Sequence, residues 1–328
     1  MITGKEKVLW ILYGTVLLVL FLLSSTDLII KEKEGEIYSV SVVVEKTADD
    51  DYVNFRKGAE RAAIELNADV SFITLYEEGN QKQQTELLLR EQQDGSRALI
   101  VSPVDQEAVA RLLSEKRVTV PMVLLNSEIP STGDGATARI AFDYYAMGRQ
   151  LGEQVLTEQP PGQMVYLIGG QVADMVSQRF LDGILSVIVP SGRCLVSRQQ
   201  KGKEGWKAFV EGLGRPGGQV AGEVVIALDP GSLAEVAQLL AEDQAHASYV
   251  DGLYGRGTTV RILNYLDKGV INGLCITDDF SAGYLSVKTA VELSGNQVPA
   301  DMGYLESHYI KKEDLRKEDY EKLLYPIE

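Results

Sequence analysis

The stretch IYSVSVVVEKTADDDYVNFRKGAERAAIEL, residues 37–66, contains the pattern that decides the fold. Residues 37–44 are mostly apolar and rich in β-branched side chains, which is typical of a strand that is buried on both faces. Further along, Phe55, Ala59 and Leu66 recur at helical spacing while charged residues take other positions. The stretch therefore predicts a buried strand followed by an amphipathic helix.

The same alternation of strand and helix continues along the chain. Further strands are predicted over residues 70–75, 98–101, 122–125, 164–168, 194–197, 224–228, 252–254 and 274–277. Helices are predicted between and after them, over residues 81–93, 105–115, 176–189, 206–213, 232–242, 258–267 and 283–293. Strands that alternate with helices indicate parallel sheets with right-handed crossovers, so the predicted class is α/β.

A Pro-Pro-Gly sequence at residues 160–162 divides this alternation into two similar series, which predicts two α/β lobes. We expect an N-terminal lobe over residues 37–157 and 278–302. A C-terminal lobe with the tail would cover residues 158–277 and 303–328. Ligands of open parallel sheets bind beyond the carboxyl ends of the strands, so two facing lobes predict a cleft that closes about a hinge.

Ahead of the lobes lies the run VLWILYGTVLLVLFLLSS, residues 8–25, with Lys5 and Lys7 on its N-terminal side. At about 1.5 Å per residue the run extends about 27 Å, close to the ~30 Å hydrocarbon core of a bilayer. This predicts one transmembrane signal-anchor, and the basic flank places residues 1–7 in the cytoplasm.

Residues 26–36 would then be a linker, and the lobes would lie on the extracellular or periplasmic side of the cell membrane. A cleaved signal peptide is the alternative interpretation of the same run. Against it, the apolar run is long, and the Ser-Ser-Thr sequence at residues 24–26 is a poor cleavage site.

Composition and charge limit the classes of function. The formal net charge of −15 disfavours nucleic acid as a partner, because its phosphates would be repelled. Two cysteines and two histidines are too few to predict a metal site, and no cofactor is expected. The chain lacks the P-loop, G-x-S-x-G, H-E-x-x-H and G-x-G-x-x-G motifs, so an enzyme is not expected.

Five local patterns carry a resemblance to a known family. They are VVVEKTADDDYVNFRKGAERAA (42–63), ALIVSPVDQEAVARLL (98–113), VPMVLLNSE (120–128), ARIAFDYYAMGRQLGEQVL (138–156) and YLDKGVINGLCITDDFSAGYLSVKTAVELSGNQV (265–298). In order and spacing they resemble the type I periplasmic (extracytoplasmic) solute-binding proteins of the ribose- and galactose-binding kind. That family shares its fold with the effector domains of lactose-repressor-like regulators. The resemblance implies two Rossmann-like lobes with a ligand between them, the periplasmic-binding-protein-like I fold.

In such proteins carboxylates and amides hold the hydroxyl groups of the ligand, and aromatic rings stack on it. By this resemblance Asp143 matches an acid at the start of a helix in the family, although it could equally cap that helix. Asp49 and Tyr52 fall in the first loop, where Tyr52 would be a stacking platform.

Five positions in the later part of the chain follow from the same resemblance. Arg179 lies where the family has a ligand-binding arginine, but its spacing to the next glycine departs from the family pattern, so a surface position is the alternative. Asp229 matches an acid that follows a strand, and Thr277 replaces a common glutamine beside Asp278. Arg256 replaces a usual aspartate, which suggests an acidic or phosphorylated ligand, or an internal partner for Asp229.

The resemblance implies a membrane-anchored solute-binding protein that captures a small polar, sugar-like ligand. It would serve an ABC transporter permease or a sensor histidine kinase. The alternative is a ligand-free sensory or protein-interaction module of the same fold. A transcription regulator is disfavoured, because the apolar run of residues 8–25 stands where such proteins carry a helix-turn-helix.

Overall fold

A computed structural model describes residues 4–25, 37–45, 52–77, 79–132, 137–170, 174–214, 222–299 and 303–326. The chain divides into two compact units, Met1–Ile37 and Tyr38–Glu328. Of the predicted site residues, Asp49 lies outside the described part of the chain.

The first unit contains one helix, α1 (Gly4–Ser25), among its described residues. Its large apolar side chains are exposed; Trp10 and Phe21 each keep 67% of their surface. Within the described residues, no helix combines the length and the apolarity needed to cross a bilayer. The predicted transmembrane span over residues 8–25 is therefore not confirmed.

The second unit contains all the strands described and the remaining helices. The strands are β1 (Tyr38–Val43), β2 (Ala68–Ile73), β3 (Ala98–Val101), β4 (Met122–Leu125), β5 (Thr137–Phe142), β6 (Met164–Gly169), β7 (Leu195–Gln200), β8 (Glu223–Ala227), β9 (Val250–Arg256), β10 (Gly273–Thr277), β11 (Tyr304–Leu305) and β12 (Ser307–Ile310). The helices are α2 (Val53–Leu66), α3 (Gln81–Gln93), α4 (Gln106–Ser114), α5 (Tyr144–Glu158), α6 (Met175–Ser191), α7 (Lys207–Val210), α8 (Pro230–Glu242), α9 (Gln244–Ala247), α10 (Val260–Asp267), α11 (Asp279–Ser294) and α12 (Glu318–Leu324).

These strands form two six-stranded sheets, ordered β11-β5-β4-β3-β1-β2 and β12-β10-β9-β8-β6-β7. Neighbouring strands are parallel throughout the first sheet. In the second sheet only the edge strand β12, which lies against β10, is antiparallel among the described pairs. The predicted α/β class with two lobes built on parallel sheets is confirmed.

Both faces of the first sheet are covered, as the apolar strands of the sequence require. Successive strand residues point to opposite faces. Val40 and Val42 belong to one buried cluster, whereas Val43 belongs to another cluster on the opposite face. All three side chains are fully buried, which explains why β1 is an unbroken apolar run rather than an alternating one.

The lobes exchange two helices. Helix α5 follows β5 of the first sheet but packs against α6 and the second sheet. Conversely, α11 follows β10 of the second sheet and packs against α2 and the first sheet. The sequence-based boundary at residue 157 had placed α5 in the first lobe. The apolar face of α5, which includes Leu151 and Val155, is instead buried among residues of the second lobe.

The C-terminal boundary shows a similar difference. Residues 303–328 were assigned to the second lobe, but β11 pairs with β5 in the first sheet. Strand β12, two residues further on, pairs with β10 in the second sheet. The chain therefore passes between the sheets once more after α11. We refer below to the first sheet with α2, α3, α4 and α11 as the first lobe, and to the second sheet with α5, α6, α8 and α10 as the second lobe.

Candidate functional site

A cavity of about 600 Å³ lies where the carboxyl ends of the strands of both lobes meet. Segments after β1, β3 and β4 line it from the first lobe, and segments after β9 and β10 line it from the second. The starts of α5, α6 and α11 complete its wall. The described residues therefore place this inter-lobe cavity at the carboxyl ends of the strands of both sheets, which is where open parallel sheets bind ligands.

Aromatic rings and the carboxylate of Glu45 lie close together on the cavity wall. Tyr52 and Phe55 lie edge to face, with ring centroids 6.2 Å apart. The Tyr52 hydroxyl donates a hydrogen bond of 2.9 Å to Glu45 Oε2, just beyond the end of β1. Phe142, at the end of β5, also lines the cavity and lies edge to face with Tyr144, with ring centroids 6.2 Å apart. These rings offer flat apolar surfaces next to a charged acceptor.

Two further carboxylates that line the cavity also cap helices. Asp105 Oδ1 accepts a hydrogen bond of 3.1 Å from the Ala108 N–H at the start of α4. Asp174 accepts hydrogen bonds of 2.7 Å from both the backbone N–H and the hydroxyl of Ser177 at the start of α6. Both are aspartates, so each adds a formal negative charge to the cavity wall.

Arg256 is the arginine that lines the cavity among the described residues, and its side chain is held by the second lobe. Its Nε donates to the Leu228 carbonyl oxygen at 2.9 Å, and its Nη2 donates to Ser177 Oγ at 3.2 Å. The guanidinium carbon also lies 5.4 Å from the ring centroid of Tyr144 and 5.9 Å from that of Phe180. These contacts fix the guanidinium against the wall and offset part of its desolvation.

Asp279, at the start of α11, joins both lobes across the cavity. Its Oδ2 accepts a hydrogen bond of 2.6 Å from Thr258 Oγ1, just after β9. Its Oδ1 accepts one of 2.7 Å from Thr277 Oγ1, at the end of β10. Two threonine hydroxyls of the second lobe therefore orient this carboxylate of the first lobe.

Burial and nearby charges shift the pKa of the Tyr144 phenol. Burial raises the pKa of Tyr144 above its ordinary value, and the carboxylates of Asp279, Glu45 and Asp174 raise it further. Arg256 acts in the opposite direction but does not reverse the shift in pKa. Tyr144 is therefore neutral at physiological pH and is surrounded by more negative than positive charge.

The structure brings three of the predicted site residues to the cavity, namely Tyr52, Arg256 and Thr277. Arg179 is not among the described residues that line it, and its guanidinium pairs with Glu128 of the first lobe. Both side chains of this ion pair are half-exposed. The ligand-binding roles of these residues remain predictions from the resemblance.

Three other predicted residues are N-caps, and none belongs to the described lining of the cavity. Asp143 accepts a hydrogen bond from the Ala146 N–H at 2.9 Å, Asp229 from Ser232 at 2.7 Å and Asp278 from Ser281 at 3.0 Å. The carboxylate of Asp229 also accepts hydrogen bonds from the Ser232 hydroxyl and the Gly170 N–H. Arg256, which the sequence suggested as a partner for Asp229, donates instead to the Leu228 carbonyl oxygen and to Ser177 Oγ.

Sequence reasoning had not selected four acids of the cavity wall: Glu45, Asp105, Asp174 and Asp279. Each lies within a few residues of the end of a predicted strand or at the start of a predicted helix. That position in the sequence could have pointed to these four acids as cavity residues, but many other acids in the chain have the same kind of position.

We expect Asp143→Ala to lower the free energy of unfolding by about 1 kcal/mol, the usual effect of losing an N-cap side chain. Asp143→Asn should retain most of this stability, because the asparagine oxygen can still accept from the Ala146 N–H. Urea unfolding of the three proteins measures the difference. A loss of ligand binding in Asp143→Ala with unchanged stability would instead support the ligand-binding role.

The fold and this cavity define a two-lobe α/β binding domain, and the sequence places the chain in a family. Residues 40–297 match the family model described as a periplasmic binding protein domain, and because the match covers most of the chain, the protein belongs to this family. No curated protein sequence matches the chain significantly.

Solved structures with the same fold are distant in sequence. A carbohydrate transporter solute-binding protein from Agrobacterium radiobacter, in complex with D-arabinose, is 17% identical with a TM-score of 0.74; the match covers 88% of this chain and 98% of that one. An ABC transporter solute-binding protein from Agrobacterium vitis, bound with α-D-tagatopyranose, is 15% identical with a TM-score of 0.75, covering 88% and 100%. A chain of the TorS sensor domain–TorT complex without ligand is 15% identical with a TM-score of 0.73, covering 87% and 96%.

Proposed function

We propose that this protein captures a small polar, sugar-like solute in the inter-lobe cavity and presents it to a membrane partner. The observation that carries the proposal is the cavity itself, about 600 Å³ in volume and lined by both lobes at the carboxyl ends of their strands. This volume lies within the range of about 300–1,000 Å³ that is typical of small-molecule sites.

The chemistry of the wall suits a polyhydroxylated ligand. Carboxylate oxygens accept hydrogen bonds from hydroxyl groups, and Glu45 and Asp279 offer such oxygens from the first lobe. The rings of Tyr52 and Phe142 offer apolar faces on which the C–H groups of a sugar ring can pack. The D-arabinose and tagatopyranose complexes of similar fold support a ligand of this class.

Contacts between the lobes support capture by closure. The Arg179–Glu128 ion pair joins α6 of the second lobe to the segment after β4 of the first. The amide of Gln106 in the first lobe also donates to the Met175 sulfur in the second, at 3.0 Å. Such contacts exist only while the lobes are close together, so they favour the closed arrangement that encloses a ligand.

The partner is either an ABC transporter permease or a sensor histidine kinase. The family and most of the similar structures favour transport, whereas the similarity to the TorS–TorT complex favours sensing. A location outside the cytoplasm follows from the family description. Attachment to the membrane through residues 8–25 stays a prediction from their apolar sequence.

A thermal-shift screen of the full chain in mild detergent, followed by calorimetric titration, tests solute capture. The panel holds pentoses, hexoses, hexosamines, sugar acids, sugar phosphates, polyols and amines. A ligand at about 100 times its dissociation constant adds about 2.7 kcal/mol of stability, which raises the melting temperature by a few degrees. We expect at least one saccharide to do so.

Variants on both lobes then locate the binding site. Tyr52→Ala in the first lobe and Thr277→Val in the second should each weaken binding about tenfold or more, since each removes a group from the cavity wall. Thr157→Val is the matched control, because this threonine is exposed on α5 away from the cavity. A folded protein that binds no member of the panel would refute solute capture and favour the ligand-free interaction module.

A further inference from the structure

We propose that the captured solute carries a protonated amine, as an amino sugar does, and is neither a neutral sugar nor an anionic one. This inference rests on the proposed function in that it places the ligand in the same inter-lobe cavity. It adds the charge class of the ligand, which follows from the balance of charges and hydrogen-bond donors in the cavity wall.

The charges of the wall are unbalanced. Among the described residues that line the cavity, four carboxylates (Glu45, Asp105, Asp174 and Asp279) face one guanidinium, that of Arg256, a formal balance of −3. Carboxylates gathered in a cleft with low-dielectric walls create a potential that concentrates cations there. The formal charge of −15 on the whole chain acts in the same direction at longer range.

Several hydroxyl donors of the wall are committed to its carboxylates. The hydroxyls of Thr258 and Thr277 donate to Asp279, and that of Tyr52 donates to Glu45. The Asn126 amide and the hydroxyls of Ser102, Tyr144 and Thr259 also line the cavity as neutral donors, so the charge class of the ligand is decided by the carboxylates. An ionised carboxylate accepts hydrogen bonds at about four lone-pair sites and donates none.

Two glutamines among the described residues of the wall each donate one hydrogen bond to the protein. The side-chain amide of Gln106 donates to the Met175 sulfur at 3.0 Å, and that of Gln178 donates to Asp182 at 2.8 Å. An ammonium group supplies three donors and a positive charge together, which is the complement of this wall.

Arg256, the cation of the described wall, is partly engaged by the protein itself. Two of its five N–H groups donate to the Leu228 carbonyl and to Ser177 Oγ, and its guanidinium carbon lies 5.4 Å from the ring centroid of Tyr144. The hydroxyl of Ser177 in turn donates to Asp174, so the guanidinium is linked through it to a carboxylate of the wall. An acidic or phosphorylated ligand, which Arg256 suggested in the sequence, would have to approach these four carboxylates against their repulsion.

Calorimetric titration of the full chain with matched sugars tests the inference. The probes are D-glucosamine, D-galactosamine and D-mannosamine, each beside its parent hexose and its N-acetyl derivative, together with D-gluconate, glucose 6-phosphate and putrescine. At pH 6.5 and low salt we expect one amino sugar to bind at least tenfold more tightly than its hexose and its uncharged N-acetyl derivative. The difference in affinity between the amino sugar and its hexose should become smaller at a pH where the amine is neutral.

Charge-removing variants show whether the cavity acids cause this preference. Asp279→Asn and Glu45→Gln keep the side-chain size, and each should reduce the preference for the amine over the hexose by about tenfold. Asp94→Asn, at an exposed position beyond α3, should leave the preference unchanged. Melting curves of the ligand-free variants establish that each is folded before its affinity is interpreted.

The outcomes separate this inference from the proposed function. If a neutral hexose binds as tightly as its amine, or if an anionic sugar binds best, the charge class is refuted and solute capture stands. If putrescine binds and no saccharide does, the charge class is supported and the sugar-like ligand is refuted. If no probe binds to the folded protein, both are refuted.

Discussion

Gly148→Ala will lower the free energy of unfolding by about 3 kcal/mol, whereas Gly152→Ala, one turn further along α5, will change it by less than about 1 kcal/mol. The two substitutions are chemically identical and lie on the same face of the same helix. They differ in the space that the neighbouring helix α6 leaves for a methyl group.

The difference follows from how closely α5 and α6 approach each other. A Cβ at Gly148 would lie 2.1 Å from the carbonyl oxygen of Phe180, and one at Gly183 would lie 2.1 Å from that of Tyr145. Backbone atoms within two helices cannot move aside, so the helices must separate. A Cβ at Gly152 would lie 3.3 Å from the Ile184 carbonyl oxygen, a small overlap that the helix propensity gained from alanine offsets by about 1 kcal/mol.

Urea unfolding of the two variants and the parent protein measures these changes. For a unit of this size, a loss of about 3 kcal/mol corresponds to a fall of roughly 6–12 °C in melting temperature. Equal effects of the two substitutions would show that the helices separate easily and that the close contact is unimportant. Gly58→Ala repeats the test in the first lobe, where a Cβ would lie 1.9 Å from the Phe280 carbonyl oxygen.

Local patterns predicted most strands and helices of the protein, but not which sheet each helix covers. The apolar face of α5, with Leu151 and Val155, is equally suited to either sheet. The choice is made by the close approach to α6 at Gly148 and Gly183, residues far apart in sequence. Strand β11 has two residues, Tyr304 and Leu305, too few to give a periodic signal.

The candidate site shows a similar limit. An aspartate that caps a helix and an aspartate that faces a ligand have the same local sequence, a strand followed by an acid and a helix. Asp143 and Asp105 both cap helices, yet only Asp105 lies among the described residues of the cavity wall. Whether the start of a helix faces the cavity depends on the packing of the lobes. Arg256 and Thr277 could be predicted to face the cavity because the resemblance to the family implied how the two lobes pack.

Alkaline pH will destabilise this protein through a network of two tyrosines, Tyr254 on β9 and Tyr309 on β12, in the second lobe. The Glu158 carboxylate accepts hydrogen bonds from the Tyr254 hydroxyl at 3.1 Å and the Tyr309 hydroxyl at 3.0 Å, and Lys311 Nζ lies 2.6 Å away. Burial, and then the charge of Glu158, raise the pKa of Tyr309 well above its ordinary value. Burial likewise raises the pKa of Tyr254, with Glu158 adding to the effect and a hydrogen bond from Gln159 opposing it.

The direction of the shift in pKa fixes the pH range of the effect. Both phenols stay protonated in the folded protein at a pH where they ionise in the unfolded chain. Their contribution to stability is fully present below the unfolded pKa of about 10 and is lost as the pH rises towards the folded pKa values. Each tyrosine should cost about 1.4 kcal/mol per pH unit in this range.

We therefore expect the free energy of unfolding to change little on account of Tyr254 and Tyr309 between pH 7 and pH 9, and to fall steeply above about pH 10. Denaturant titrations at closely spaced pH values measure the slope of the free energy of unfolding against pH.

In Tyr254→Phe and Tyr309→Phe the slope above pH 10 should be shallower by about one proton each, since each variant removes one ionising group. Tyr265→Phe, at a partly buried tyrosine outside this network, is measured beside them as the comparison variant. If tyrosinate absorbance shows that both network tyrosines ionise near pH 10 in the folded protein, the predicted slope will be absent and the network will not be the source of alkaline instability.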